Sequence, residues 1–125
     1  MPMPYKDKKI AVIGVSSRED KFGYKIFRDL LKQGYQVKGV HPVGGGVLDQ
    51  KIFRSLKDIP ERIDLVITVV PANVTEKIIE QCNELGIKDV WMQPGSESEL
   101  AIEAAKRYGI TVTYNACFMV REHIW

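Results

Sequence analysis

The chain has 125 residues, the length of one domain and enough to bury a core without disulfide or metal staples. With 27% charged and 45% hydrophobic residues it reads as a soluble globular protein, and no apolar run reaches the about 18 residues of a membrane span. A net charge of only +2 argues against a nucleic-acid partner.

The stretch Met1–Lys9 lacks the apolar core of a signal peptide. Cys82 and Cys117 are too few for a disulfide framework, so a cytoplasmic protein with reduced thiols is expected. Charge is unevenly spread. Residues 1–62 hold 13 Lys/Arg against 7 Asp/Glu, while residues 63–125 hold 5 against 9. The positive half is where a phosphate-bearing ligand is expected, unless the charges only solvate the surface.

Lys9–Val15 is a near-continuous apolar run, the pattern of a strand covered on both faces. Gly23–Gln33 follows, with Ile26, Phe27, Leu30 and Leu31 at helical spacing. Gln36–Val40 reads as a second strand. Val43–Pro60 is irregular, with a short strand possible at Lys51–Phe53 and a helical turn at Leu56–Ile59. Asp64–Val70 is the third strand and the most β-branched. In Asn73–Leu85, residues Val74, Ile78, Ile79, Cys82 and Leu85 share one helical face, and Asn73 with Glu76 has a capping pattern. Lys88–Met92 is strand four. Glu97–Tyr108 is helical, with Ser96 and Glu99 as a capping box, and Ile110–Tyr114 is strand five.

Each long helix stops at a glycine (Gly34, Gly86, Gly109) and a strand starts at once. Alternation of this length implies βαβ units and a parallel sheet. The expected fold is α/β: a single doubly wound, Rossmann-like domain over residues 1–125 with a mainly parallel five-stranded sheet.

Ligands of such sheets bind outside the carboxyl ends of the strands. The loop after strand one, Gly14–Gly23, fits neither G-x-G-x-x-G nor a Walker loop, because Ser16, Glu19 and Asp20 stand where those motifs need glycine or lysine. It still offers two hydroxyls, two cations and a helix N-terminus, which suit a phosphate. The plainer alternative is a βα loop whose serines cap the helix. Strand two ends in Gly39-Val40-His41-Pro42, with no acid for the ribose hydroxyls of NAD. NADP, or another adenine nucleotide with a phosphorylated ribose, remains compatible. His41 is otherwise an ordinary loop histidine. Gly44-Gly45-Gly46 is either a close approach to a ligand or a solvent loop, and Pro71 either covers an adenine or ends its strand. Glu97 and Glu99 satisfy the dipole of their own helix, so no anion is expected there. The two histidines show no metal-ligand spacing. Cys82 falls on an apolar helix face. Cys117, past strand five, is a small core residue or a reactive thiol at the ligand edge.

The succession KIAVIGVSS, KFGYKIFRDLLKQGYQVKGVHP, SLKDIPERIDLVITVVP, VWMQPGSESE and NACFMV resembles the small stand-alone coenzyme A-binding domain proteins, from about Lys9 to Val120. The same domain opens the α subunit of succinyl-CoA synthetase and the ADP-forming acyl-CoA synthetases. There a proline followed by glycines typically comes after strand two, and Val40–Gly46 is similar. The resemblance implies that Gly14, Ser16, Ser17, Arg18, Lys21 and Gly23 surround phosphates. It implies that Val40, Pro42, Val70, Pro71 and Val74 flank the adenosine, and that Gln93, Pro94 and Gly95 lie towards the pantetheine arm; His41 is a further candidate binding residue. Relatives often carry Asn at His41 and a basic residue where Val43 and Gly44 stand, which leaves one phosphate contact to Arg18 or Lys21, or lowers the affinity.

The synthetases also need a phosphohistidine-bearing domain and an ATP-binding domain, which this sequence does not contain. The expected function is therefore binding of coenzyme A or acyl-CoA without catalysis of its own. The alternatives are an NADP-dependent oxidoreductase or redox-sensing domain, and a protein-interaction subunit using the tail Phe118–Trp125, rich in interface-type residues. The same tail packed on its own domain is the simpler expectation.

Overall fold

In the computed structural model, which describes residues 5–125, apolar strands form the centre and helices cover both faces. The reading of Met1–Pro4 as part of a leaderless N-terminus lies outside the described residues. The elements are β1 (Lys9–Ile13), α1 (Phe22–Lys32), β2 (Gln36–Val40), β3 (Gly46–Val47), β4 (Gln50–Phe53), a 3-10 turn (Leu56–Asp58), β5 (Leu65–Thr68), α2 (Ala72–Leu85), β6 (Asp89–Met92), α3 (Glu99–Arg107), β7 (Thr111–Thr113) and α4 (Phe118–Arg121).

The strands lie in the order β3-β4-β2-β1-β5-β6-β7. Every pairing is parallel except β3 with β4. The fold is thus the expected Rossmann-like α/β sheet, but with seven strands among the described residues rather than five. The two added strands come from the segment read as irregular. Leu48 and Asp49 take φ of 53° and 62°, both in the left-handed region, and turn the chain back as a two-residue hairpin. Leu-Asp is not among the pairs that signal such a turn. β4 then joins β2 with Gly39 opposite Ile52 and Val40 opposite Phe53.

β1 and β5 are buried throughout apart from Lys9, as strands covered on both faces must be. From β1 the chain runs outward to β2 through α1. From β5 it runs the other way to β6 and β7 through α2 and α3. Crossovers of one hand running in opposite directions put their helices on opposite faces. Tyr24, Ile26, Phe27 and Leu30 of α1 accordingly pack in one core, with Phe118 and Met119 of the tail. Ile78, Ile79 and Cys82 of α2 and Ala101, Ala104 and Ala105 of α3 pack in the other. The tail therefore docks on its own domain, with Phe118 edge-on to Trp91 at 5.2 Å. No described helix is long and apolar enough to cross a membrane.

Two helix starts differ from those expected. α2 begins at Ala72 with Pro71, not Asn73, in the cap position, and the Pro71 carbonyl accepts from Val74 and Thr75 N–H at 2.9 and 3.2 Å. Proline's fixed φ suits a helix start and overrides the side-chain pattern. α3 is capped by Ser98, whose Oγ accepts from Ala101 N–H at 3.3 Å. Ser96 is instead buried below the preceding turn, where its hydroxyl donates to the Gln93 carbonyl at 2.7 Å and lies 2.8 Å from Thr68 Oγ1.

Candidate functional site

The sheet order reverses between β1 and β5, so the chain leaves their carboxyl ends towards opposite faces and opens a crevice. A cleft of about 630 Å³ lies there, within the range of small-molecule sites. The ends of β1, β2, β4 and β5, the first turn of α1 and one face of α2 from Val74 to Gln81 line it. Of the residues expected at a site, Gly14, Ser16, Lys21, Gly23, Val40, His41, Pro42, Val70, Pro71 and Val74 all line this cleft. Gln93 and Pro94 line a smaller cavity beside it. Ser17, Arg18 and Gly95 line neither.

The loop after β1 is held by its neighbours. Gly14 and Val15 donate their N–H groups to the Val40 carbonyl at 2.9 and 3.2 Å, so these two are not free for a phosphate. A Cβ on Gly23 would run into the Gly14 carbonyl, so α1 approaches the loop as closely as only glycine permits. The expectation that the serines cap α1 is not met. Ser16 Oγ accepts from Arg18 N–H at 3.0 Å, Lys21 holds the cap position, and no side chain caps the helix. Lys25 is the first residue whose N–H enters the ladder, bonding Lys21 O at 3.2 Å. The N–H groups of Phe22, Gly23 and Tyr24 precede it and carry the positive end of the helix dipole. α2 likewise has no side-chain cap and, like α1, no acid in its first turn. α3 has both.

Arg18 does not line this cleft. Its side chain is 67% exposed and pairs with Asp20 at 3.2 Å. Arg54, just past β4, lines the cleft instead, with Lys21 on one side and Lys77 of α2 on the other. None of these three is in an ion pair among the described residues, and no Asp or Glu lines the cleft. Gly44 makes room for Arg54, since a Cβ there would sit 3.0 Å from its Cγ and 3.1 Å from its Nε. Val43 and Gly44, which replace the expected base after Pro42, thus leave space that an arginine from the neighbouring strand fills. His41 Nδ1 accepts from Val43 N–H at 3.1 Å, so its acceptor nitrogen is spent on the turn.

Arg54, Ser55, Lys77 and Gln81 were not singled out from the sequence. Lys77 and Gln81 fall three and seven positions after Val74, one helix face, so periodicity points to them. Arg54 follows the short strand suspected at Lys51–Phe53, and the rule that sites lie past strand ends applies to it as well.

The neighbouring cavity, of about 240 Å³, shares Phe22 and Val69 with the cleft. Gln93 Nε2 donates to Cys117 Sγ at 3.3 Å and its Oε1 accepts from Phe118 N–H at 2.6 Å. Gly95 turns away, its N–H donating to Glu97 at 3.0 Å. Both cysteines are free; Cys82 is fully buried, and burial pushes its thiol up to about 12. Among the described residues no cluster of His, Cys, Asp or Glu is arranged to hold a metal.

Residues 8–123 match the model of the family described as CoA binding domain. YneT of Bacillus subtilis strain 168 is 30% identical over 115 residues, covering 92% of this chain and 85% of that protein. The α subunit of acetate–CoA ligase (ADP-forming) I of Pyrococcus furiosus is 30% identical over 125 residues, 86% of this chain but 27% of the subunit. The chain thus spans about a quarter of that curated relative. A solved conserved hypothetical protein from Pyrococcus furiosus superposes with a TM-score of 0.87 at 33% identity, covering 91% of this chain and 98% of that one. A hypothetical protein from Pyrococcus horikoshii OT3 does so with 0.87 at 34%, covering 93% and 81%. The chain belongs to the CoA binding domain family and is homologous to the matching part of ADP-forming acetate–CoA ligase α subunits.

Proposed function

We propose that this protein, as a single domain over residues 1–125, binds coenzyme A, free or acylated, as a stand-alone module without catalysis of its own. The observation that carries the reading is electrostatic. One cleft at the switch point is flanked by Lys21, Arg54 and Lys77 and by two helix N-termini without side-chain caps, and no carboxylate lines it. Such a site suits a polyanion with an apolar body.

The diphosphate lies against the first turn of α1, near Ser16 and Lys21. The adenosine packs between Val40 and Pro42 on one side and Val70, Pro71 and Val74 on the other. Arg54 meets the ribose phosphate, and the pantetheine arm runs towards Gln93 and Pro94. Stand-alone action is supported by end-to-end similarity to proteins of comparable length, YneT and the Pyrococcus furiosus hypothetical protein. A purely binding role is supported by His41, whose Nδ1 is engaged by its own turn and is not poised as a base. The free thiols fit a reducing cytoplasm.

NADP also carries a phosphorylated ribose that Arg54 would suit. Its dinucleotide fingerprint is absent, and the Gly14 and Val15 N–H groups are already bonded to Val40. Native mass spectrometry of freshly purified protein tests the choice. The expected bound mass is coenzyme A or an acyl thioester of it. A bound nicotinamide dinucleotide, or stripped protein that fails to take up added coenzyme A, refutes the proposal.

A further inference from the structure

We propose that the cavity beside the main cleft is a subsite for a short aliphatic acyl group carried as a thioester, an inference that rests on the coenzyme A reading above. Phe22 and Val69 line both spaces, so a chain leaving the first turn of α1 passes directly into the second. The lining is mainly apolar: Phe22, Ile26, Val69 and Trp125, with Cys117 and a single amide, Gln93.

That amide has a fixed orientation. Its Oε1 accepts the Phe118 N–H at 2.6 Å, so Nε2 faces Cys117 at 3.3 Å. Gln93 is 5% exposed, and an amide nitrogen carries two protons. Sulfur, a weak acceptor, takes one, and among the described residues the other has no partner. A thioester carbonyl is an acceptor of the kind this proton lacks. The terminal thiol of free coenzyme A has no such oxygen.

The wall limits length. Trp125 donates its indole N–H to Asp29 Oδ2 at 2.7 Å and stands 6.2 Å, centroid to centroid, from Phe22. At roughly the 30 Å³ of a water for each methylene, the about 240 Å³ inside holds at most about eight carbons, so a butyryl chain fits and a dodecanoyl chain does not.

Calorimetric titration with coenzyme A, butyryl-CoA, dodecanoyl-CoA and the thioether S-butyl-CoA reads each part. Butyryl-CoA is expected to bind at least tenfold more tightly than coenzyme A, since each buried methylene contributes about fourfold. S-butyl-CoA, which lacks the carbonyl, is expected between the two. Dodecanoyl-CoA is expected to be no tighter than butyryl-CoA, and Trp125→Ala to give the longer chain the advantage it lacks. Equal affinities for butyryl-CoA and coenzyme A overturn the subsite while leaving coenzyme A binding intact. S-butyl-CoA matching butyryl-CoA removes the role of Gln93, and a continued gain to dodecanoyl-CoA in the unaltered protein removes the limit set at Trp125. No binding by any of the four overturns the coenzyme A reading and the subsite with it.

Discussion

Replacing Arg54 by alanine separates recognition of the ribose phosphate from the rest of the cleft. The guanidinium lies past the end of β4, lines the cleft beside His41 and Pro42, and has no carboxylate partner among the described residues. A charge-assisted contact between arginine and phosphate contributes about 1.5–3 kcal/mol. Arg54 is exposed, so solvent screening puts the value at the lower end. A loss of ~1.4 kcal/mol is a tenfold rise in Kd for coenzyme A. Dephospho-CoA lacks only the 3′-phosphate, so Arg54→Ala should leave its affinity nearly unchanged. Calorimetry with both molecules on both proteins gives the coupling directly. Arg54→Lys should fall between, because lysine keeps the charge without the bidentate fork. The tenfold difference should shrink as salt is raised. Arg18→Ala should change much less, since that side chain faces solvent and Asp20. Equal losses for coenzyme A and dephospho-CoA would refute the assignment of Arg54 to the ribose phosphate.

Gly23→Ala pushes a Cβ into the Gly14 carbonyl and should lower stability by about 1–3 kcal/mol in urea denaturation; an unchanged midpoint would show that the loop and α1 are not locked together. Under oxidation with coenzyme A disulfide, the Cys117 thiolate should attack one sulfur slowly, forming a protein–coenzyme A disulfide and releasing one coenzyme A thiol. Cys82, buried and with its thiol pushed up to about 12, should stay unmodified, and peptide mapping that finds the adduct mainly on Cys82 contradicts the fold. The hydrogen bond from Arg28, and a further one from Trp125, hold the Asp29 carboxyl below its ordinary range. The stability this gives is complete above about pH 4 and is lost as pH falls through the lowered value. Trp125→Phe removes one donor and should move the Asp29 titration upward in NMR; an unmoved midpoint refutes the contact.

The sheet and its main helices were legible because apolar spacing switches cleanly between continuous runs and helical faces, from Ile10–Val15 to Ile26–Leu31 and again from Leu65–Val70 to Ile78–Cys82. The helix stop at Gly86 was legible for a backbone reason: its φ of 73° is one that other residues rarely take. The β3–β4 hairpin was not, because Leu48 and Asp49 adopt positive φ without the usual turn residues. The start of α2 was obscured because Asn73 carries a capping pattern while Pro71 does the capping. Most cleft residues could be placed from the rule that ligands sit past strand ends. Arg54 could not, since only the parallel pairing of β4 with β2 brings it beside Pro42. Arg18 shows the opposite: it is near Gly14 in sequence, but its side chain is exposed and paired with Asp20.

The central claim is that the cleft is built for coenzyme A rather than for a nicotinamide dinucleotide or for no small molecule at all. Thermal unfolding of the same protein sample with coenzyme A, NADP or NAD at equal concentrations tests it most directly. Coenzyme A at about 100 times its Kd should add about 2.7 kcal/mol and raise Tm by several degrees, with NAD doing least because the end of β2 offers no acid to its ribose. A larger shift with NADP or NAD, or no shift with coenzyme A up to millimolar concentration, would contradict the account.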